Sequence, residues 1–199
     1  MTSPRQPRLV STDLACRRGD RVLFRGLTLE LEPGAALHVT GANGIGKSSL
    51  LRILGGLLAP FAGTVDRKGT VGLVDERPAL DPDRPLGKSL DFWAQVDGIG
   101  DKMFERYCER LDLDNLLDVP VRFLSTGQKK RAALARLMIQ GPDIWLLDEP
   151  LSGLDTASQT IVNEVVREQC GYGGIALIAS HQPLDIGGLR TLAIADFAA

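Results

Sequence analysis

Eight consecutive residues, Gly41-Ala42-Asn43-Gly44-Ile45-Gly46-Lys47-Ser48, fit the pattern G-x-x-x-x-G-K-S, and that spacing suits phosphate chemistry. Glycines let backbone approach phosphate oxygens with no Cβ in the way. Their N–H groups form a nest for anions, and a helix opening at Lys47 aims its positive end at the same place. Lys47 is placed to reach β- and γ-phosphates, and the Ser48 hydroxyl to ligate Mg²⁺, with Ser49 beside it. A chance match in a glycine-rich turn is the competing explanation. It is weakened by context, because the loop lies between an apolar strand pattern and a helical one.

A second candidate follows about a hundred residues later. Ile144-Trp145-Leu146-Leu147 is a continuous apolar run that ends in Asp148-Glu149-Pro150. Acids at the C-terminal edge of a buried parallel strand sit where open α/β sheets bind ligands. Asp148 is the candidate Mg²⁺ ligand and Glu149 the candidate general base toward an attacking water. The plainer alternative is a solvated strand end paired with nearby Arg or Lys.

The elements that must position these residues are legible as patterns. Leu27, Leu29 and Leu31 alternate with polar residues, as in a half-buried strand. Pro33-Gly34 turns the chain into a short strand over 36–40. A helical pattern runs over 47–57 and a buried strand over 71–74. Residues 81–85 read as a loop, with helices around 89–95 and 102–111. A further helix over 127–140 stops at Gly141-Pro142. Strand 144–147, helix 157–169 and strand 175–179 complete the alternation, which predicts an α/β fold with a parallel sheet.

Three further motifs, in order, resemble the ATP-binding-cassette (ABC) family specifically. Leu124-Ser125-Thr126-Gly127-Gln128 is similar to its signature loop LSGGQ, Ser152-Gly153-Leu154-Asp155 to its D-loop, and Ser180-His181 to its switch histidine. The resemblance covers most of the chain. It implies a phosphate-loop NTPase with an ABC-type nucleotide-binding domain over 1–199. Such a domain has a RecA-like core, an N-terminal antiparallel β part and a small helical subdomain inserted at about 75–121. It also implies hydrolysis of ATP with Mg²⁺ at the interface of a head-to-tail dimer. The phosphate loop would bind through Gly41, Ala42, Asn43, Gly44, Ile45, Gly46, Lys47, Ser48 and Ser49. Ser125, Gly127 and Gln128 would cap the γ-phosphate on the twin copy. Catalysis would fall to Lys47, Glu149 and His181, with Asp155 reporting across the interface. Two departures stand out. Asp75-Glu76-Arg77-Pro78 lacks the family's glutamine, so Glu76 or Arg77 takes its place. No aromatic for the adenine lies near 16–19, which leaves Arg17 or Arg18 to stack on the base.

Stretches outside the shared motifs are similar to one branch, the haem-exporter ATPases of cytochrome c maturation: 16–24, 118–122 and Ser180-His181-Gln182-Pro183-Leu184. That branch implies membrane permease subunits as partners, at the cytoplasmic face of a bacterial inner membrane. A cassette serving another small substrate and a non-transport cassette are the alternatives. A net charge of −2 advertises no nucleic-acid partner, and Lys129-Lys130-Arg131 reads as a solvated face. Cys16, Cys108 and Cys170 are an odd, scattered set without Cys-x-x-Cys spacing, as in a reduced compartment. Residues 1–8 lack the apolar stretch of a signal peptide, and no run nears the roughly 20 apolar residues of a membrane span.

Overall fold

The computed structural model describes residues 6–75 and 78–198. The departure at Glu76 and Arg77, and most of the polar N-terminal stretch, lie outside them. Two sheets organise the chain. The first is antiparallel, order β2-β1-β4, from β1 (Arg8–Arg18), β2 (Arg21–Leu31) and β4 (Ala62–Lys68). In β2 the expected alternation holds: Leu27, Leu29 and Leu31 are buried, while Thr28 and Glu30 face water. Gly63 lets β4 press against β1. Its φ is +84°, and a Cβ there would lie 2.4 Å from the Thr12 carbonyl oxygen, so only glycine fits.

The second sheet is parallel, order β5-β6-β7-β3-β8, from β3 (Ala36–Thr40), β5 (Val71–Val74), β6 (Ile144–Asp148), β7 (Ile175–Ala179) and β8 (Arg190–Ala193). Its faces carry separate cores. Leu37, Val39, Ile144, Leu146, Ile175 and Leu177 pack with helix α1 (Lys47–Leu54) and the leucines of β1 and β2. Trp145, Leu147, Ala176 and Ile178 pack with α4 (Thr126–Gln140) and α5 (Thr156–Gly171). Burial on both faces is why β6 and β7 read as unbroken apolar runs.

Helix α1 stops at Leu54, short of the expected 57. Gly55 caps it and Leu57 is 69% exposed. Helices α2 (Leu86–Asp97) and α3 (Asp101–Arg110) precede α4 in the chain and pack on it. α2 begins three residues earlier than expected and has no side-chain cap. The backbone N–H groups of Leu86 and Gly87 donate instead to the carbonyls of Val119 (2.9 Å) and Leu117 (2.8 Å). A distant segment supplies what a local cap would, so no sequence signal marks the start. Among the described residues no helix is long and apolar enough to cross a membrane.

Candidate active site

β3 delivers the chain into the phosphate loop at the carboxyl edge of the parallel sheet, and the loop's shape depends on its glycines. Gly41, Gly44 and Gly46 have φ of 143°, 76° and 119°. A Cβ on Gly46 would lie 3.1 Å from the ring of buried Phe24. Gly46 also stands at the N-cap of α1, where no side chain caps the helix and no acid occupies the first turn. Backbone donors and the helix dipole are thus left for an anion.

Lys47 is almost fully buried in this loop. Its Nζ donates to the Gly41 carbonyl at 2.8 Å and lies 3.0 Å from His181 Nε2 and 3.7 Å from Glu149 Oε1. His181 Nε2 lies 3.4 Å from the same Glu149 oxygen and touches Asn43 Oδ1. The His181 backbone N–H donates to Glu149 Oε2 at 3.4 Å. Three residues far apart in sequence therefore share one polar cluster: a cation, a carboxylate and an imidazole at the mouth of the loop.

Asp148 ends β6. Its Oδ1 is buried without a hydrogen-bond partner. Burial pushes its carboxyl above the usual carboxylate range, and the charges of Glu149 and Asp75 push the same way. A hydrogen bond with Ser48 and the nearby Arg52 pull against them. A buried carboxylate oxygen lacking a donor, beside a serine hydroxyl, is a fitting donor set for a hard divalent cation. Ser48 and Asp148 thus suit Mg²⁺. Glu149, next in the chain, has φ of +48°, rare for a residue with a Cβ. Its N–H donates to the Ala179 carbonyl of β7 at 2.8 Å.

Lys47, Ser48, Asp148 and Glu149 line a cavity of about 940 Å³ together with Arg18, Arg21 and Leu23. β1 places Arg17 and Arg18, the two candidates for stacking on the base, differently. Arg17 turns away and lays its guanidinium over Phe61, 4.5 Å from the ring centroid. Arg18 lines the cavity, with Nε donating to Ser49 Oγ at 3.4 Å. Arg18→Ala is expected to weaken nucleotide binding by about two- to fivefold, the scale of one exposed guanidinium–ring contact. Arg17→Ala is expected to leave it within error. Titration of a fluorescent ATP analogue reads both, and equal losses would count against this assignment.

The signature residues lie elsewhere. Ser125 caps α4: Gln128 N–H donates to Ser125 Oγ at 3.2 Å, and Ser125 N–H donates to Gln128 Oε1 at 2.8 Å, a reciprocal capping box. Gly127 abuts the next loop, where a Cβ would meet Leu154 Cδ2 at 3.1 Å. Asp155 caps α5, accepting from Ser158 N–H at 2.7 Å; that bond holds its carboxyl below the usual range. None of Ser125, Gly127, Gln128 and Asp155 lines the cavity within one chain.

The basic cluster is not a solvated face. Lys129 donates to the Arg122 carbonyl at 3.2 Å. Lys130 donates to the Glu149 carbonyl and Ser152 Oγ. Buried Arg131 ties down the Leu111 and Asp112 carbonyls and the Asp112 carboxylate. Positive residues at the start of a packed helix find backbone acceptors in the loops they cover, which charge patterning does not show. Arg52 was also missed. It lines the cavity and pairs with Asp75 at 3.3 Å. Its place four residues after Ser48, on the same helix face, was the available signal.

A family model described as "ABC transporter" matches residues 24–152. The "Cytochrome c biogenesis ATP-binding export protein CcmA" of Novosphingobium aromaticivorans is 56% identical over 189 residues, covering 95% of this chain and 96% of the relative. The protein of the same name from Zymomonas mobilis is 48% identical, covering 96% and 86%. Among solved structures, an ABC transporter ATP-binding protein from Pyrococcus furiosus superposes with a TM-score of 0.84 at 23% identity, covering 96% of this chain and all of that one. The protein cbiO1 of Clostridium perfringens, part of the ABC transporter complex cbiONQ, superposes with a TM-score of 0.72 at 26% identity, covering 87% and 78%.

Proposed function

The chain belongs to the ABC transporter family as an ATP-binding subunit, and from that premise we propose that two copies hydrolyse Mg-ATP between them to energise a membrane export complex of cytochrome c biogenesis. One observation carries the chemistry: Lys47, Glu149 and His181 meet within 3.7 Å at the mouth of the phosphate loop.

In this reading ATP lays its triphosphate along the loop N–H groups from Gly41 to Ser49. Lys47 Nζ leaves the Gly41 carbonyl for the β- and γ-phosphates. Ser48 and Asp148 hold Mg²⁺, whose chemistry when bound is to offset charge on the phosphate oxygens. Glu149 orients the attacking water and accepts its proton. His181 turns to the γ-phosphate. Ser125, Gly127 and Gln128 of the twin copy close the site from the other side, which gives a cavity-remote helix start its role as an anion cap. Asp155 lies in the loop that faces across. Residues 75–121 present α2 and α3 to membrane permease subunits at the cytoplasmic face of the bacterial inner membrane. The cargo is haem or a haem carrier, in keeping with the branch that the sequence resembles.

The reading is tested in a bacterium whose own 56%-identical relative has been deleted. Expression of this chain is expected to restore c-type cytochromes, measured by haem staining of membrane proteins. An unrestored strain, with the chain present at the relative's level, would count against the assignment to cytochrome c biogenesis.

A further inference from the structure

Glu149 is the residue on which hydrolysis turns in the reading above, and its backbone is unusual. A φ of +48° at a residue with a Cβ is strained and persists only where surrounding contacts over-determine it. Those contacts are visible on both sides of the residue. On the amino side, the Glu149 N–H donates to the Ala179 carbonyl at 2.8 Å. On the carboxyl side, the Glu149 carbonyl receives the half-buried ammonium of Lys130. The same ammonium donates to Ser152 Oγ. The Ser152 hydroxyl and N–H lie 3.3 Å and 3.4 Å from that carbonyl in turn. Lys130 thus closes a small network that fixes the peptide following Glu149.

Lys130 lies in the second turn of α4, whose N-cap is Ser125. The two segments touch at a second point: Gly127 faces Leu154 and the Gly153 carbonyl so closely that a Cβ would stand 3.1 Å and 3.6 Å from them. The start of α4 and residues 149–155 therefore form one packed unit, and the cation at its centre is bonded to the backbone of Glu149 and the hydroxyl of Ser152.

We infer that Lys130 is a positioning residue for hydrolysis, holding the Glu149 peptide so that the carboxylate stays beside Lys47 and His181. This rests on the assignment of Glu149 as the general base. Removing the ammonium lets the strained peptide relax. A shift of the carboxylate by a fraction of an ångström then reduces its alignment with the attacking water. Nucleotide binding, which depends on the phosphate loop, is not touched.

The test uses the purified full chain with Mg-ATP, following phosphate release. Lys130→Ala is expected to lower kcat by about tenfold or more, on the scale that misalignment costs, with KM within about twofold of the parent, the pattern of an interaction that matters only in the transition state. Lys130→Arg keeps a charged donor and is expected to recover most of the lost turnover. If Lys130→Ala does not fold, Lys130→Met, which keeps the stem, takes its place with the same expected result. Parental kcat in the alanine or methionine variant, an arginine variant that falls equally far, or a loss expressed in KM alone would each overturn the inference. Glu149→Gln, measured alongside, separates two failures. Full turnover in that variant overturns the role of Glu149 itself. Abolished turnover there, with parental turnover in Lys130→Ala, overturns the role of Lys130 alone.

Discussion

Glu149→Gln is expected to lower ATP turnover by about 10²–10⁴-fold, the range over which a general base acts, while nucleotide binding survives. The substitution keeps the side chain's shape and removes its charge and basicity. The site shows why binding is spared. Glu149 is not part of the loop that cradles phosphate, and its carboxylate lies 3.7 Å from Lys47, so the neutral amide also frees that lysine for the triphosphate. With hydrolysis blocked, ATP stays in place, and the anion sites at the two Ser125 turns keep their ligands. The variant is therefore expected to double its mass on adding Mg-ATP, measured by light scattering, and to remain a monomer without it. Turnover at the parent rate would remove Glu149 from the chemistry. Turnover lost with no change in mass would remove the sandwich.

How far such expectations could be read in the sequence depended on whether the cause was local. Ser125 and Gly141 mark the ends of α4 because both act within a turn: one caps with its own oxygen, the other adopts a left-handed conformation at φ of 60°. β6 is legible because four apolar residues in a row can be satisfied only by burial on two faces. β4 and β8 are not, since β4 is largely exposed, no residue of β8 is fully buried, and neither carries much alternation. They are strands because of their neighbours. The site divides in the same way. The phosphate loop and the acid pair are contiguous, so spacing alone exposes them. The approach of His181 to Lys47 is set by β3 and β7 lying side by side, a pairing that no spacing encodes; motif order supplied it. The bond from Lys130 to the Glu149 backbone went unrecognised because its acceptor is a carbonyl nineteen residues away, and charge patterning sees only other charges.

Lys47→Ala is expected to lower kcat/KM for ATP by about 10²–10³-fold, the loss typical of one preorganised charge-stabilising donor. The effect should be larger than simple charge removal in water because Lys47 is only 6% exposed and acts in a low-dielectric loop. In the resting site its charge is shared by the Gly41 carbonyl, His181 and Glu149. Every one of these contacts must yield for it to meet phosphate, so only a ligand that offers more negative charge than Glu149 can draw it out. That ordering predicts unequal losses: calorimetric titration should show the variant weakened more toward ATP than toward ADP, because the γ-phosphate is the group that competes with Glu149. Lys47→Arg should not rescue it. The planar guanidinium is wider than an ammonium, and the space is bounded by backbone on one side and the His181 ring on the other. Equal loss of ATP and ADP affinity would place Lys47 on the β-phosphate alone, and parental kcat/KM would mean that the cluster at the mouth of the loop is not the hydrolytic site.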